Sequence, residues 1–139
     1  YLGAYTATKA AVVALSESWA GELEEKGINV SVLCPAFVQT RIHESERNRP
    51  KKYQSVAANS SEEGSFANTT KQMVENGIAV SIVGKRVVEA LNDGEFYIFT
   101  HPNYHPIMQE KTAAIDAAFK KASQSPLLKN IVNQKIEMP

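Results

Sequence analysis

From Thr6 to Lys26, apolar residues recur at helical spacing as Ala10, Val13, Ala14, Ala20 and Leu23, with good helix formers between them. Glu22, Glu24, Glu25 and Lys26 crowd the end of this segment, and Gly27 is a natural C-terminal stop. The period then changes. Residues 28–34, INVSVLC, are a short run rich in β-branched residues, apolar on both faces and ended by Pro35. Such a run predicts a buried parallel strand rather than one with a wet face. Helix, glycine turn and buried strand, in that order, make the second half of a βαβ unit.

From about Gln39 to Asn76 the pattern dissolves into Arg, Glu, Asn, Ser and Lys with little periodicity. A segment of this length inside a compact domain predicts a functional lid or a mobile insertion. Helical spacing returns over Ile78–Leu91, with Val80, Val83, Val87, Val88 and Leu91 on one side. Asn92-Asp93-Gly94 stops that helix, and EFYIFT (Glu95 to Thr100) predicts a second short strand. Pro106 suits the first position of a further helix running to about Ala122. Leu127, Leu128, Ile131 and Val132 give a last amphipathic stretch after Pro126. The expected organisation is a single α/β domain over residues 1–122, with the lid at 39–76 and a tail at 123–139.

Composition adds exclusions. The 139 residues are 43% hydrophobic and 22% charged, ordinary for a globular protein. Fifteen basic residues balance fifteen acidic ones, so no net field recruits nucleic acid or an anionic membrane. The one cysteine, Cys34, cannot form an internal disulfide, which fits a reducing compartment. No apolar run approaches the ~20 residues of a membrane helix, and no signal peptide opens the chain, so a cytoplasmic location is expected. The chain starts Tyr1-Leu2-Gly3 and runs at once into helical sequence. We read it as a piece of a longer protein, cut upstream of a helix.

The candidate chemistry lies at that start. Of the five tyrosines, only Tyr5 has a lysine four residues on, Lys9, with small residues between. On a helix, residues i and i+4 share a face. A free phenol, with a pKa of ~10, is a poor acid–base catalyst at neutral pH, but a nearby ammonium favours its phenolate. The positive potential of a helix N-terminus acts in the same sense. A phenol so placed can give a proton to a carbonyl, or take one from an alcohol, as hydride arrives or leaves. The spacing alone fits a surface Tyr–Lys pair as well. Elsewhere the pattern is bland. His101 and His105 are flanked by Pro102 and Pro106, which argue against a helix presenting both to a metal, and no metal site is expected. His43 reads as a solvated loop histidine, Cys34 as a structural strand residue and Trp19 as core or subunit interface. Arg41, Arg47, Arg49, Lys51 and Lys52 make the first half of the lid basic, with Glu44 and Glu46 interleaved, as in a solvated lid.

Residues Tyr5-Thr6-Ala7-Thr8-Lys9-Ala10-Ala11, then a helix, then NVSVLCPAFVQTRI resemble the catalytic helix and following strand of the short-chain dehydrogenase/reductase family. That family carries YxxxK, then a buried strand ending in a Pro-Gly segment with a Thr a few residues on. The resemblance is specific from Tyr1 to about Thr40, looser to Thr100, and fades after that. It implies the C-terminal half of a doubly wound parallel-sheet, Rossmann-like NAD(P)-binding fold, with NAD or NADP as cofactor, the choice left open. It implies Tyr5 as general acid/base, with Lys9 lowering its pKa and hydrogen-bonding the nicotinamide ribose. Pro35 would lead a loop around the nicotinamide, with the backbone of Val38 and the hydroxyl of Thr40 binding its carboxamide. Ala36 stands where the family commonly has Gly. The Gly-rich phosphate loop is absent, as are the residue that selects between cofactors and the serine preceding the tyrosine; Ser16 and Ser18 follow Tyr5 on its own helix and cannot replace that serine.

The function expected from the resemblance is NAD(P)-dependent interconversion of a small-molecule alcohol and a carbonyl, within a homodimer or homotetramer of the full-length protein. An isolated fragment of this extent is expected to be inactive. The rival is a non-catalytic scaffold or oligomerisation module of the same fold. A Gly-rich turn and a serine upstream of Tyr5 would mark the enzyme, and their absence the scaffold.

Overall fold

The computed structural model describes residues 2–53 and 61–136. The first element is a 22-residue helix, α1 (Gly3–Glu24), rich in Ala, Leu and Glu as its composition demands. It ends in a Schellman closure: the N–H of Ile28 reaches the carbonyl of Leu23 at 3.2 Å, and that of Gly27 reaches Glu24 at 2.9 Å. The closure needs a left-handed residue, and Gly27 supplies it at φ +68. Strand β1 (Val32–Cys34) follows, shorter than the expected run because residues 28–31 make no ladder pairs.

The segment read as irregular is largely helical. Short 3₁₀ turns occupy Ile42–Asn48 and Lys51–Tyr53, and a 15-residue helix, α2, spans Ser61–Glu75. Residues 54–60 of the expected lid lie outside the described residues. Helix α3 (Val80–Asn92) then repeats the ending of α1, with Glu95 N–H to Ala90 carbonyl at 2.9 Å, Gly94 N–H to Leu91 carbonyl at 3.3 Å, and Gly94 at φ +69. Each of the two helices thus delivers the chain through a left-handed glycine into a strand. The second strand, β2 (Tyr97–Phe99), lies parallel to β1 in the register Val32–Tyr97, Leu33–Ile98, Cys34–Phe99.

A parallel pair needs a crossover between its strands, and α2 and α3 provide it. The buried apolar residues among those described are Val32 of β1 and Ile98 of β2, which the register puts on opposite faces of the pair, with Ala90 of α3 and Val74 of α2. Arg86 of α3 locks the helix to the strand end, donating through Nε to the Phe99 carbonyl at 3.2 Å and pairing with Glu95. Contacts divide the chain into two units, residues 1–100 and 101–139. The second unit holds a 3₁₀ turn at Pro102–Tyr104, helix α4 (His105–Ser123) and a turn at Pro126–Leu128, whose Ser125 hydroxyl accepts from the Leu127 N–H. The amphipathic stretch expected over 127–132 therefore contributes turns rather than a helix. Among the described residues, no helix is long and apolar enough to cross a membrane.

Candidate active site

Tyr5 and Lys9 lie in the first and second turns of α1, one turn apart on the same face. The Lys9 ammonium stands over the Tyr5 ring, 5.5 Å from its centroid, within the range of a cation–π contact. Tyr5 is half-exposed at 51%, and its hydroxyl makes no hydrogen bond among the described residues. Thr8 turns its hydroxyl back to the Tyr5 carbonyl at 2.7 Å, so it does not compete for the phenol. The phenol is open to a ligand, with an ammonium beside its ring.

Helix α1 is tied to the sheet by a contact that sequence reading missed. The Tyr97 hydroxyl on β2 donates to Glu17 Oε1 at 2.5 Å, three turns beyond Tyr5. Tyr97 is held by its neighbours, stacked on Phe99 at 5.9 Å and edge-on to Phe96 at 4.5 Å. The Glu17 carboxylate accepting its proton pushes the Tyr97 phenol above the usual range, with part-burial acting in the same sense. No local signal marks this pair, because its members are 80 residues apart.

Beyond β1 the chain passes through Pro35–Thr40, with Val38 in a bridge and Gln39 and Thr40 in a bend. Val38 forms an isolated parallel bridge with Ile78, in which Ile78 N–H reaches the Phe37 carbonyl at 3.0 Å and Gln39 N–H reaches the Ile78 carbonyl at 2.9 Å. In this ladder pattern the bonds on one side use Phe37 and Gln39, so the N–H and carbonyl of Val38 itself point the other way. The bridge depends on Gly77, where an added Cβ would collide with the Phe37 carbonyl and the Val38 nitrogen. Gln39 Nε2 also donates to the Glu75 carbonyl at 3.2 Å, fixing the segment to the end of α2. The Thr40 hydroxyl oxygen accepts from Ile42 N–H at 3.4 Å, which leaves its own proton available to donate. The Val38 N–H and carbonyl and the Thr40 hydroxyl are groups that could hold an amide-bearing ligand, as a nicotinamide carboxamide is.

The turn after Thr40 corrects one expectation. The His43 side chain is only 16% exposed, not solvated, and among the described residues its buried Nδ1 has no hydrogen-bond partner. Beside it Glu44 gathers the basic residues: Arg41 approaches to 2.6 Å and Arg47 to 3.9 Å. The Arg41 hydrogen bond, aided by the charges of Arg41, His43 and Arg47, holds the Glu44 carboxyl below the usual range. Arg47 in turn donates to the Arg41 carbonyl at 2.7 Å. Cys34, at the end of β1, is part-buried, and that burial pushes its thiol up.

A family model described as short chain dehydrogenase matches residues 1–51. The CLA biosynthesis dehydrogenase/reductase of Lactiplantibacillus plantarum is 31% identical over 116 residues, covering 80% of this chain and 41% of that protein. The C alpha-dehydrogenase of a Sphingobium species is 31% identical over 113 residues, covering 81% of this chain and 36% of its own length. A crystal structure of a short chain dehydrogenase/reductase from Burkholderia phymatum, in complex with NAD, superposes with a TM-score of 0.75 at 27% identity, over 98% of this chain and 46% of that one. The chain spans less than half the length of the relatives it matches.

Proposed function

Because this chain belongs to the short-chain dehydrogenase/reductase family, we propose that it carries the acid–base part of an enzyme interconverting an alcohol and a carbonyl with NAD or NADP. The observation that carries the proposal is the Lys9 ammonium held over an open, half-exposed Tyr5. A bound nicotinamide dinucleotide supplies the hydride in reduction and accepts it in oxidation. Tyr5 supplies the matching proton. In reduction its hydroxyl gives that proton to the carbonyl oxygen as the carbon is reduced, leaving a phenolate; in oxidation the phenolate takes it back from the alcohol. Lys9 stabilises the negative charge that comes and goes on the phenol oxygen, and reaches the ribose of the dinucleotide with the same ammonium. The Val38 backbone and the Thr40 hydroxyl hold the carboxamide, on a segment led by Pro35 and braced through the Val38–Ile78 bridge.

The names of the two bacterial relatives support this direction, each being a dehydrogenase. The remaining length of such an enzyme would bring the phosphate-binding turn and the serine that this sequence lacks. A spectrophotometric screen of the complete protein tests the proposal, with NADH and NADPH offered in turn against aldehydes and ketones. Carbonyl-dependent loss of absorbance at the reduced nicotinamide band is expected with at least one pairing. A complete protein that binds neither dinucleotide would be a scaffold instead.

A further inference from the structure

The helix that carries Tyr5 and Lys9 has no buried residue of its own. Among the described residues, most of its side-chain hydrogen bonds stay within it: Thr8 to the Tyr5 carbonyl, Ser16 to the Val12 carbonyl and Ser18 to Glu22. The one that leaves it is accepted by Glu17 Oε1 from the Tyr97 hydroxyl, at 2.5 Å. The donor is held by the sheet. Residues opposite one another in register share a face of a parallel pair, so Tyr97 and Phe99 of β2 lie on one face with Val32 and Cys34 of β1. The Tyr97 ring is stacked on Phe99 at 5.9 Å and meets Phe96 edge-on at 4.5 Å, so it is fixed from two sides. Cys34, the register partner of Phe99, is the residue from which the chain passes into Pro35–Thr40.

Glu17, Tyr97, Phe99 and Cys34 thus connect the helix that holds the proton to the segment that would hold the nicotinamide. Hydride and proton must reach the two ends of one carbonyl bond, so the placement of Tyr5 relative to that segment sets the rate. A helix with its side chains is a rod of about 5–6 Å radius, and turning it by about 10° moves a group on its surface by about 1 Å. A misplacement of about 1 Å can cost about 10²-fold in rate. An exposed hydrogen bond adds little to stability, but one made to the side of a rod fixes its rotation. We propose that Tyr97 is a positioning residue for the reaction, a role that rests on the function proposed above. Through its hydrogen bond to Glu17 it sets the rotation of α1, and so the place of Tyr5 beside Pro35–Thr40.

The test compares Tyr97→Phe, Glu17→Leu, Glu17→Gln and the double variant Tyr97→Phe/Glu17→Leu in the complete protein, with a carbonyl that wild type reduces. Dinucleotide Kd is read by nicotinamide fluorescence, and a single turnover is followed with the reduced dinucleotide already bound. The rate constant of that turnover reports the placement of the reacting groups, whereas its amplitude reports how much of the protein is folded. Tyr97→Phe and Glu17→Leu should each lower the rate constant by about 10- to 100-fold, with amplitude unchanged and Kd within a few-fold of wild type. The double variant should be no slower than the slower single one, since both remove the same contact. Glu17→Gln, whose side-chain oxygen still accepts from the Tyr97 hydroxyl, should keep most of the rate. Wild-type rate constants in both single variants, or a loss confined to the amplitude, would overturn the proposal. So would a double variant slowed by the product of the single effects, or a Glu17→Gln protein as slow as Glu17→Leu. If wild type reduces the carbonyl and these results follow, the Tyr97 inference alone fails. If wild type reduces no carbonyl with either dinucleotide, the functional reading fails with it.

Discussion

At Tyr5 the ammonium stands over the ring face and leaves the hydroxyl accessible. The charge rather than the size of residue 9 is what the proposed chemistry uses. In the complete protein, Lys9→Met should lower turnover by about 10²-fold, while Lys9→Arg keeps part of the rate. A Lys9→Met protein that turns over at the wild-type rate would remove the ammonium from the mechanism. Cys34 gives a check that is independent of catalysis. Burial raises its native thiol pKa, so the folded state holds the proton more tightly than the unfolded one. The stabilisation from this group is present below the unfolded thiol pKa and is lost as pH rises through the native one. Alkylation by iodoacetamide should consequently reach half its maximal rate at higher pH in the native protein than in denaturant. That Tyr5 and Lys9 share one helix face was legible because their spacing is local. His43 and the Glu17–Tyr97 hydrogen bond were not, because burial and long-range pairing are tertiary facts that a window of sequence does not contain.

The elements show the same division. Helices α1 and α3 and both strands were legible because apolar periodicity and a stopping glycine coincide, and the glycines sit in the left-handed conformation that their position suggested. Space is open around Gly27 and Gly94, so replacing either by Ala tests conformation alone. Gly94→Ala should destabilise the protein by roughly 1–2 kcal/mol, read by chemical denaturation; an unchanged midpoint would mean that the closure does not depend on φ. Gly77 is the opposite case, limited by space. Gly77→Ala should push Phe37 and Val38 away from the end of α2 and weaken dinucleotide binding more than it lowers stability, since the displaced bridge holds the segment proposed to bind the carboxamide. Helix α2 escaped the sequence reading because it is mostly polar: SEEGSFANTTKQMVE offers only Phe66, Met73 and Val74 as large apolar residues. A polar helix leaves little periodicity to see. Its signals were the glutamates at its start, the Lys71–Glu75 pair and Gly77 just past its end.

On the scale of the molecule, two short strands carry a core of four buried apolar residues among those described, while Val12, Leu15, Trp19, Ile82, Val88 and Phe99 are all exposed. A two-stranded sheet is marginal by itself, and the chain covers less than half of each relative it matches. Expressed alone, the 139 residues should be poorly soluble and should not bind NADH or NADPH saturably, because no glycine-rich phosphate turn is present. Saturable micromolar binding to a folded monomer would show a cofactor site outside the one described. The α/β class was readable from the sequence, since helix, glycine and strand recur twice in order; which side chains the fold brings together was not. The most direct test of the central claim is single-turnover carbonyl reduction by the complete protein, wild type against Tyr5→Phe, with reduced dinucleotide already bound. The substitution keeps the ring and removes its proton. The rate should fall by about 10²- to 10⁴-fold, with dinucleotide affinity within a few-fold of wild type. A Tyr5→Phe protein that reduces the carbonyl at close to the wild-type rate would contradict the assignment of Tyr5 as the acid and base.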